Sequence, residues 1–202
     1  MLKTLKKLYA VICLFRGIPA VILYMKYRKV LMADAERYLR YSPYKKVSFM
    51  MFFHTLITVM PFRSIFYMRT KDSIILNVLS RVFIKPLDSI ELSTDIGEGL
   101  MIYHKIGCVI NCKSAGKNLT VWQGVTVGSK RPFEGPDARP ILGDNVSIAV
   151  NAVVFGRITV GNNVVIGAGS VVNKSVPDNC VVAGNPARII KRDGIPCDEP
   201  LK

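Results

Sequence analysis

Between residues 142 and 172 an aliphatic side chain recurs at every sixth position: Leu142, Ile148, Val154, Val160, Ile166 and Val172. A second series four residues further on is also small or apolar: Val146, Ala152, Ile158, Val164, Ser170 and Val176. Between the two, at the third step, come Asn145, Asn151, Arg157, Asn163, Gly169 and Ser175. Asn and Gly are the residue types that tolerate positive φ. A period of six is neither the 3.6 of a helix nor the alternation of a half-buried strand. It predicts a short strand and a corner, repeated, with three sides closing a triangular coil of 18 residues around stacked aliphatic side chains. That is the six-residue repeat of a parallel β-helix. Ile96, Ile102, Ile110, Ala115, Val121 and Val127 extend the series to twelve hexads, or four coils. At one strand spacing per coil the prism is about 19 Å tall.

Two places break the register. Ile102 and Ile110 are eight residues apart, and His104 lies in the surplus. Between Val127 and Leu142 the stretch "GSKRPFEGPDARPI" carries three prolines and two glycines, so it must leave the coil as a loop. Loops ejected from a rigid scaffold commonly carry function. "CKSAGKNLT" is one residue short of a hexad and predicts a slightly pinched coil at Ala115.

The pattern before residue 89 is helical. "ADAERYLRY" (33–41) stops at Pro43, "VSFMMFFHTLITVM" runs to Pro61, and "DSIILNVLSRVFI" (72–84) ends before Pro86. The chain divides into a helical region 1–88, a β-helix 89–192 and a C-terminal tail 193–202.

Charge sharpens this division. Residues 1–86 hold sixteen Lys/Arg against Asp34, Glu36 and Asp72, a net of +13, whereas residues 87–202 are near neutral at +1. The basic residues are interleaved with Leu, Ile, Met and Phe, which suits an anionic membrane surface better than nucleic acid. Two apolar stretches, 8–25 and 47–68, carry Arg16 and Arg63 respectively, which are costly inside a bilayer. No small-residue cleavage site of a signal peptide follows 8–25. Both read as amphipathic or buried helices. Five cysteines, an odd number without framework spacing, suit a reducing cytoplasm.

His104 is one of only two histidines. His104, Cys108 and Cys112 have the spacing of a partial zinc site on a helix, but on coil strands they do not converge, and one histidine in the repeat region is too few for zinc. No metal is expected. An imidazole, with an ordinary pKa of about 6.5, accepts a proton at neutral pH and suits a general base acting on a hydroxyl.

The stretches "IGEGLMIYHKIGCVIN", "VWQGVTVGSK" and "ILGDNVSIAVNAVVFGRITVGNNVVIGAGSVVNKSVPDNCVVAGNPARII" resemble the serine acetyltransferase group of hexapeptide acyltransferases, which includes acetyltransferases of exopolysaccharide synthesis of the colanic acid type. The resemblance covers roughly residues 90–192, and its most specific part is "VPDNCVVAGNPARII". "ERYLR" and "MPFRSIFYMR" more faintly resemble the helical lobe preceding the coils in that group. The resemblance implies a mainly β fold, a left-handed parallel β-helix, that forms a trimer with acetyl-CoA in the groove between prisms. It implies direct O-acetyl transfer with His104 as the base. An upstream carboxylate orients the imidazole; it falls nearest Glu91, with Asp88 and Asp95 as alternatives. Val150 and Ala168 offer backbone groups to the pantetheine arm, Ala149 and Ala168 leave it room, and Lys174 and Arg188 meet the phosphates.

The chain departs from that pattern at Ala138-Arg139-Pro140, where the group has an Arg-His pair before the proline. Arg139, with Asp137 beside it, is then the acceptor-binding side chain, able to hold a carboxylate, a phosphate or a uronic acid. The altered clamp and the N-terminal charge favour a sugar hydroxyl of a surface-polysaccharide precursor, lipid-linked at the inner face of the membrane, over L-serine. A non-catalytic trimeric scaffold is the alternative of another class.

Overall fold

The computed structural model describes residues 17–39, 48–92, 95–104, 106–131 and 135–201. Cys13 and Arg16 lie outside them, as do parts of the first apolar stretch and of the proline-rich loop.

Among the described residues five helices come first: α1 (Gly17–Lys26), α2 (Arg28–Leu39), α3 (Phe49–Thr58), α4 (Met60–Arg69) and α5 (Ile74–Arg81). Ser48 caps α3 by accepting the Met51 N–H. Pro61 does not end the helical run as expected. It sits in the first turn of α4, where a missing N–H costs nothing, and the chain bends by 113° between α3 and α4. The 47–68 stretch is indeed largely a core element, since Phe52, Leu56, Phe62, Ile65 and Phe66 have no exposed surface. Among the described residues no single helix is long and apolar enough to cross a membrane.

Fifteen short strands follow: β1 (Ile90–Leu92), β2 (Met101–Ile102), β3 (Cys108–Ile110), β4 (Ser114–Ala115), β5 (Thr120–Val121), β6 (Thr126–Gly128), β7 (Ile141–Leu142), β8 (Ser147–Ile148), β9 (Val153–Phe155), β10 (Thr159–Val160), β11 (Val165–Ile166), β12 (Val171–Val172), β13 (Cys180–Gly184), β14 (Ala187–Arg192) and β15 (Ile195–Pro200). They form three faces, ordered β1-β3-β6-β9-β12, β10-β7-β4 and β15-β14-β13-β11-β8-β5-β2. Every pairing among β1–β12 is parallel. The result is a left-handed parallel β-helix.

The hexad arithmetic is visible in burial. Val121, Val127, Ile148, Val154, Val160, Ile166 and Val172 are completely buried, and so are Val146, Ala152, Val164 and Ser170 of the second series. Ala115 fills its place in register with Leu142 despite the missing residue. At one corner Asn118, Asn145, Asn163 and Asn179 each take a φ near +60°. Their amides form a ladder, each Nδ2 donating to the next Oδ1: Asn118 to Asn145, Asn145 to Asn163 and Asn163 to Asn179, all at 2.9 Å. Asn therefore serves twice there, tolerating the left-handed backbone and joining successive coils. Gly99 sits below the ladder at φ +84°, where a Cβ would lie 2.4 Å from Asn118 Oδ1.

Residues 195–200 are not a free tail. β15 pairs antiparallel with β14, and β14 with β13, so residues 180–200 close the top of one face as a hairpin.

Among the described residues a buried ion pair fastens the lobe to the first coil. Asp34 and Arg69 meet at 2.8 Å, with their side chains 0% and 8% exposed. Asp34 Oδ1 also accepts the Gly99 and Leu100 N–H groups at 2.8 Å each. Arg69 donates onward to the Ile96 and Gly97 carbonyls. Burial pushes the Asp34 carboxyl upward, while Arg69 and the two backbone N–H groups pull the other way. Tyr38 OH closes the open edge of β2, donating to the Ile102 carbonyl at 3.0 Å and accepting its N–H at 2.9 Å.

Candidate active site

His104 stands at the corner between β2 and β3, exposed, with φ +63°. The same corner recurs in later coils at Gln123-Gly124, Val150-Asn151 and Ala168-Gly169, tied by the hydrogen bonds Gly124 N–H to Gly107 O (2.8 Å), Asn151 N–H to Gln123 O (3.0 Å) and Gly169 N–H to Val150 O (2.9 Å). Two of the predicted donor-binding residues, Val150 and Ala168, thus share an edge of the prism with the histidine. At one coil per strand spacing they lie about 10 and 14 Å up that edge. Among the described residues the N–H and C=O of Ala168 and the N–H of Val150 have no backbone partner. These groups, with little side chain over them, suit an amide-bearing arm. Val150 C=O is already taken by Gly169 N–H.

The position just before this corner is occupied in successive coils by Tyr103, Trp122, Ala149, Gly167 and Ala183. Their registry follows from Ile102↔Val121, Val121↔Ile148, Ile166↔Ile148 and Ile166↔Val182. Ala149 is therefore in the column, as its small size suggested. Arg188 pairs with Ala183 and so stands at the column's upper end. Its Nε donates to Asp198 Oδ1 at 2.5 Å, an exposed ion pair that a phosphate can replace.

Lys174 is different. It lies after β12, at the other end of that face, and its Nζ donates to the Leu201 carbonyl at 3.0 Å. Its backbone is at the edge opposite His104, while its ammonium reaches the residue after Pro200, which pairs with Arg188. The spacing contained this information, since Lys174 is 18 residues after Gly156, which follows β9.

Glu91 is placed on the strand paired with the one that follows His104. It lies in β1 opposite Val109, on the face beyond the histidine's corner. Among the described residues no hydrogen bond or ion pair reaches the imidazole of His104, which neighbours the Tyr103 ring at 6.4 Å between centroids. Asp88 is paired instead with Lys85 at 3.8 Å, and both are exposed.

The ejected loop leaves after Gly128 and returns at Ile141, again at the far end of the face. Arg139 follows a 3-10 turn over Pro136–Ala138 and is half-buried. Asp137 binds Lys113 at 2.6 Å, and that hydrogen-bonded ammonium holds its carboxyl below the usual range. The pair is rim-exposed. His104 and Arg139 thus occupy opposite edges of one face. Cys108 and Cys112 are buried inside the prism while His104 is exposed outside it, so the three do not converge.

No protein-family model matches the chain. A serine acetyltransferase of Staphylococcus aureus (strain Mu50 / ATCC 700699) is 46% identical over 102 residues, 50% of this chain and 47% of that protein. The chain spans about half the length of the curated relatives it matches. The crystal structure of a serine acetyltransferase from Brucella abortus strain S19 is similar at a TM-score of 0.63 and 30% identity, covering 85% of this chain and 71% of that one. A serine acetyltransferase from the same strain in complex with coenzyme A is similar at a TM-score of 0.63 and 27% identity, covering 88% and 74%.

Proposed function

Because the chain belongs to the serine acetyltransferase group of hexapeptide-repeat acyltransferases, we propose that it transfers the acetyl group of acetyl-CoA to an acceptor hydroxyl, with His104 as the general base. The observation that carries this reading is the shared edge: one exposed imidazole in line with Val150, Ala168 and Arg188. The donor's phosphates lie at the Arg188 end and its thioester at the His104 end. The imidazole takes the acceptor proton as the hydroxyl oxygen attacks the thioester carbonyl. The tetrahedral adduct collapses, the carbon–sulfur bond breaks, and the CoA sulfur takes the proton back from the imidazolium. No acyl-enzyme forms. Glu91, on the strand paired with β3 just past the histidine's corner, is the carboxylate we propose to orient the imidazole.

A homotrimer fits the same geometry. Arg139, Asp137 and Lys174 lie at the edge opposite His104, so a neighbouring prism is what can present them to the histidine.

The acceptor we propose is L-serine, since the relatives are serine acetyltransferases. This reverses the order expected from the sequence. A sugar hydroxyl is kept as a second reading because Ala138 and Arg139 replace the group's Arg-His pair. Thiol release from acetyl-CoA with L-serine and a panel of sugars and sugar nucleotides decides between them. Turnover with serine and not sugars is expected, and the reverse pattern moves the assignment to a glycan. No thiol release with any acceptor of either class favours a non-catalytic scaffold.

We also propose that the basic lobe rests on an anionic membrane surface. α5 supports this because it is inverted: Asn77 and Ser80 face inward, while Ile74, Ile75, Val78 and Leu79 face out. With the lobe's net charge of +13, anionic lipid is the complementary cover. Co-sedimentation with vesicles containing phosphatidylserine, lost on Ile75→Asp/Val78→Asp, is the expected result. Equal recovery with neutral vesicles contradicts it.

A further inference from the structure

The column before the His104 corner changes character along its length. At Ala149, Gly167 and Ala183 the side chains are minimal. Gly167 has so little room beyond it that an added Cβ would lie 3.1 Å from the Ala183 Cβ. At Tyr103 and Trp122 the same position carries two large rings, stacked with centroids 4.9 Å apart and planes 14° apart. Both are partly exposed. Their backbones are held by the coil itself, Tyr103 N–H to Val121 O at 2.8 Å and Trp122 N–H to Ile148 O at 3.0 Å. The rings therefore stand at fixed height on the edge, one of them adjacent in sequence to His104. Beside them Gln123 buries its Oε1 without a hydrogen-bond partner among the described residues.

An arm running down the small side chains meets the indole at the coil directly before the histidine's. The thioester carbon must stop there to face a hydroxyl held by His104. The acyl methyl, one bond further, has the stacked rings ahead of it. We propose that the Tyr103–Trp122 pair closes the donor groove at its reactive end and limits the acyl group to two carbons. This rests on the reading of the His104 corner as the transfer site and adds the source of donor selectivity. Trp122 is a specificity residue here, and its ring does no acid–base work.

The test compares kcat/KM for acetyl-, propionyl- and butyryl-CoA in the wild type, Trp122→Ala and Trp122→Phe. Trp122→Leu is the substitute if the alanine variant does not fold by circular dichroism. The wild type is expected to favour acetyl over butyryl about tenfold or more, the scale on which pockets reject extra methylenes. Trp122→Ala or Trp122→Leu brings that ratio close to one, and Trp122→Phe keeps most of it. A folded small-side-chain variant with the wild-type ratio overturns the proposal. Trp122 is the chain's single tryptophan, so its emission reports donor binding without turnover. If acetyl-CoA shifts the emission and drives turnover while the ratio ignores the substitution, only the proposed wall is wrong. If acetyl-CoA neither shifts the emission nor is consumed, the transfer site is misplaced and the wall falls with it.

Discussion

Replacing His104 by asparagine lowers kcat for acetyl transfer by about 10²–10⁴-fold, the range lost with a positioned general base. Asparagine is the informative choice because the site has φ +63°, a conformation it tolerates as well as any side chain with a Cβ. The imidazole is exposed and makes no hydrogen bond among the described residues. Its removal therefore takes little from the fold, and the melting temperature stays within a degree or two of wild type. The KM for acetyl-CoA changes little, because the donor contacts proposed for Val150, Ala168 and Arg188 are elsewhere along the edge. Thiol release under saturating donor and acceptor measures the effect. A variant that keeps most of its kcat removes His104 from the mechanism.

The second large effect is on stability. Asp34→Ala leaves Arg69 buried with its ion-pair partner gone and orphans the N–H groups of Gly99 and Leu100. Breaking a buried pair from one side costs about 3–5 kcal/mol. The loss appears as a lower urea midpoint. Because Asp34 bridges the lobe and the first coil, it also weakens their coupling. Far-UV circular dichroism, which follows the helices, then moves to lower urea before Trp122 emission, which follows the prism. The double variant Asp34→Leu/Arg69→Met recovers much of the loss, since an apolar pair leaves no charge stranded. A shift of less than 1 kcal/mol in Asp34→Ala contradicts the role assigned to this pair.

The prism was legible because its information is local and periodic. A six-residue repeat states which side chain points inward, where the chain turns, and how many coils result. The positions from Leu142 to Val172 need no tertiary partner to be read. The two breaks in that period were equally plain, and they mark the histidine's corner and the ejected loop. The lobe was less legible. Within "ADAERYLRY" Asp34 looks like an ordinary surface charge, and its partners are 35 and 65 residues away. Nothing local distinguishes a buried bridge from a solvated face. α5 misleads in the opposite sense, since its apolar stripe suggests a core-facing helix and instead faces outward. Glu91 was placed by counting residues through a connection whose path the count does not determine. Tyr103 and Trp122 went unnoticed although the signal was present, since each follows an inward aliphatic residue by one and so must stand outside at a corner.

The central claim is that an acetyl-CoA arm lies along the edge carrying His104. The chain has two imidazoles, that of His54, exposed on the outer side of α3, and that of His104. Imidazole NMR signals of the protein labelled at histidine, titrated with acetyl-CoA, therefore separate a site residue from a control in one experiment. The account predicts that the His104 resonances shift with saturation at the same donor concentration that half-saturates turnover, and that those of His54 stay in place. Resonances of His104 that do not move while the protein consumes acetyl-CoA contradict it.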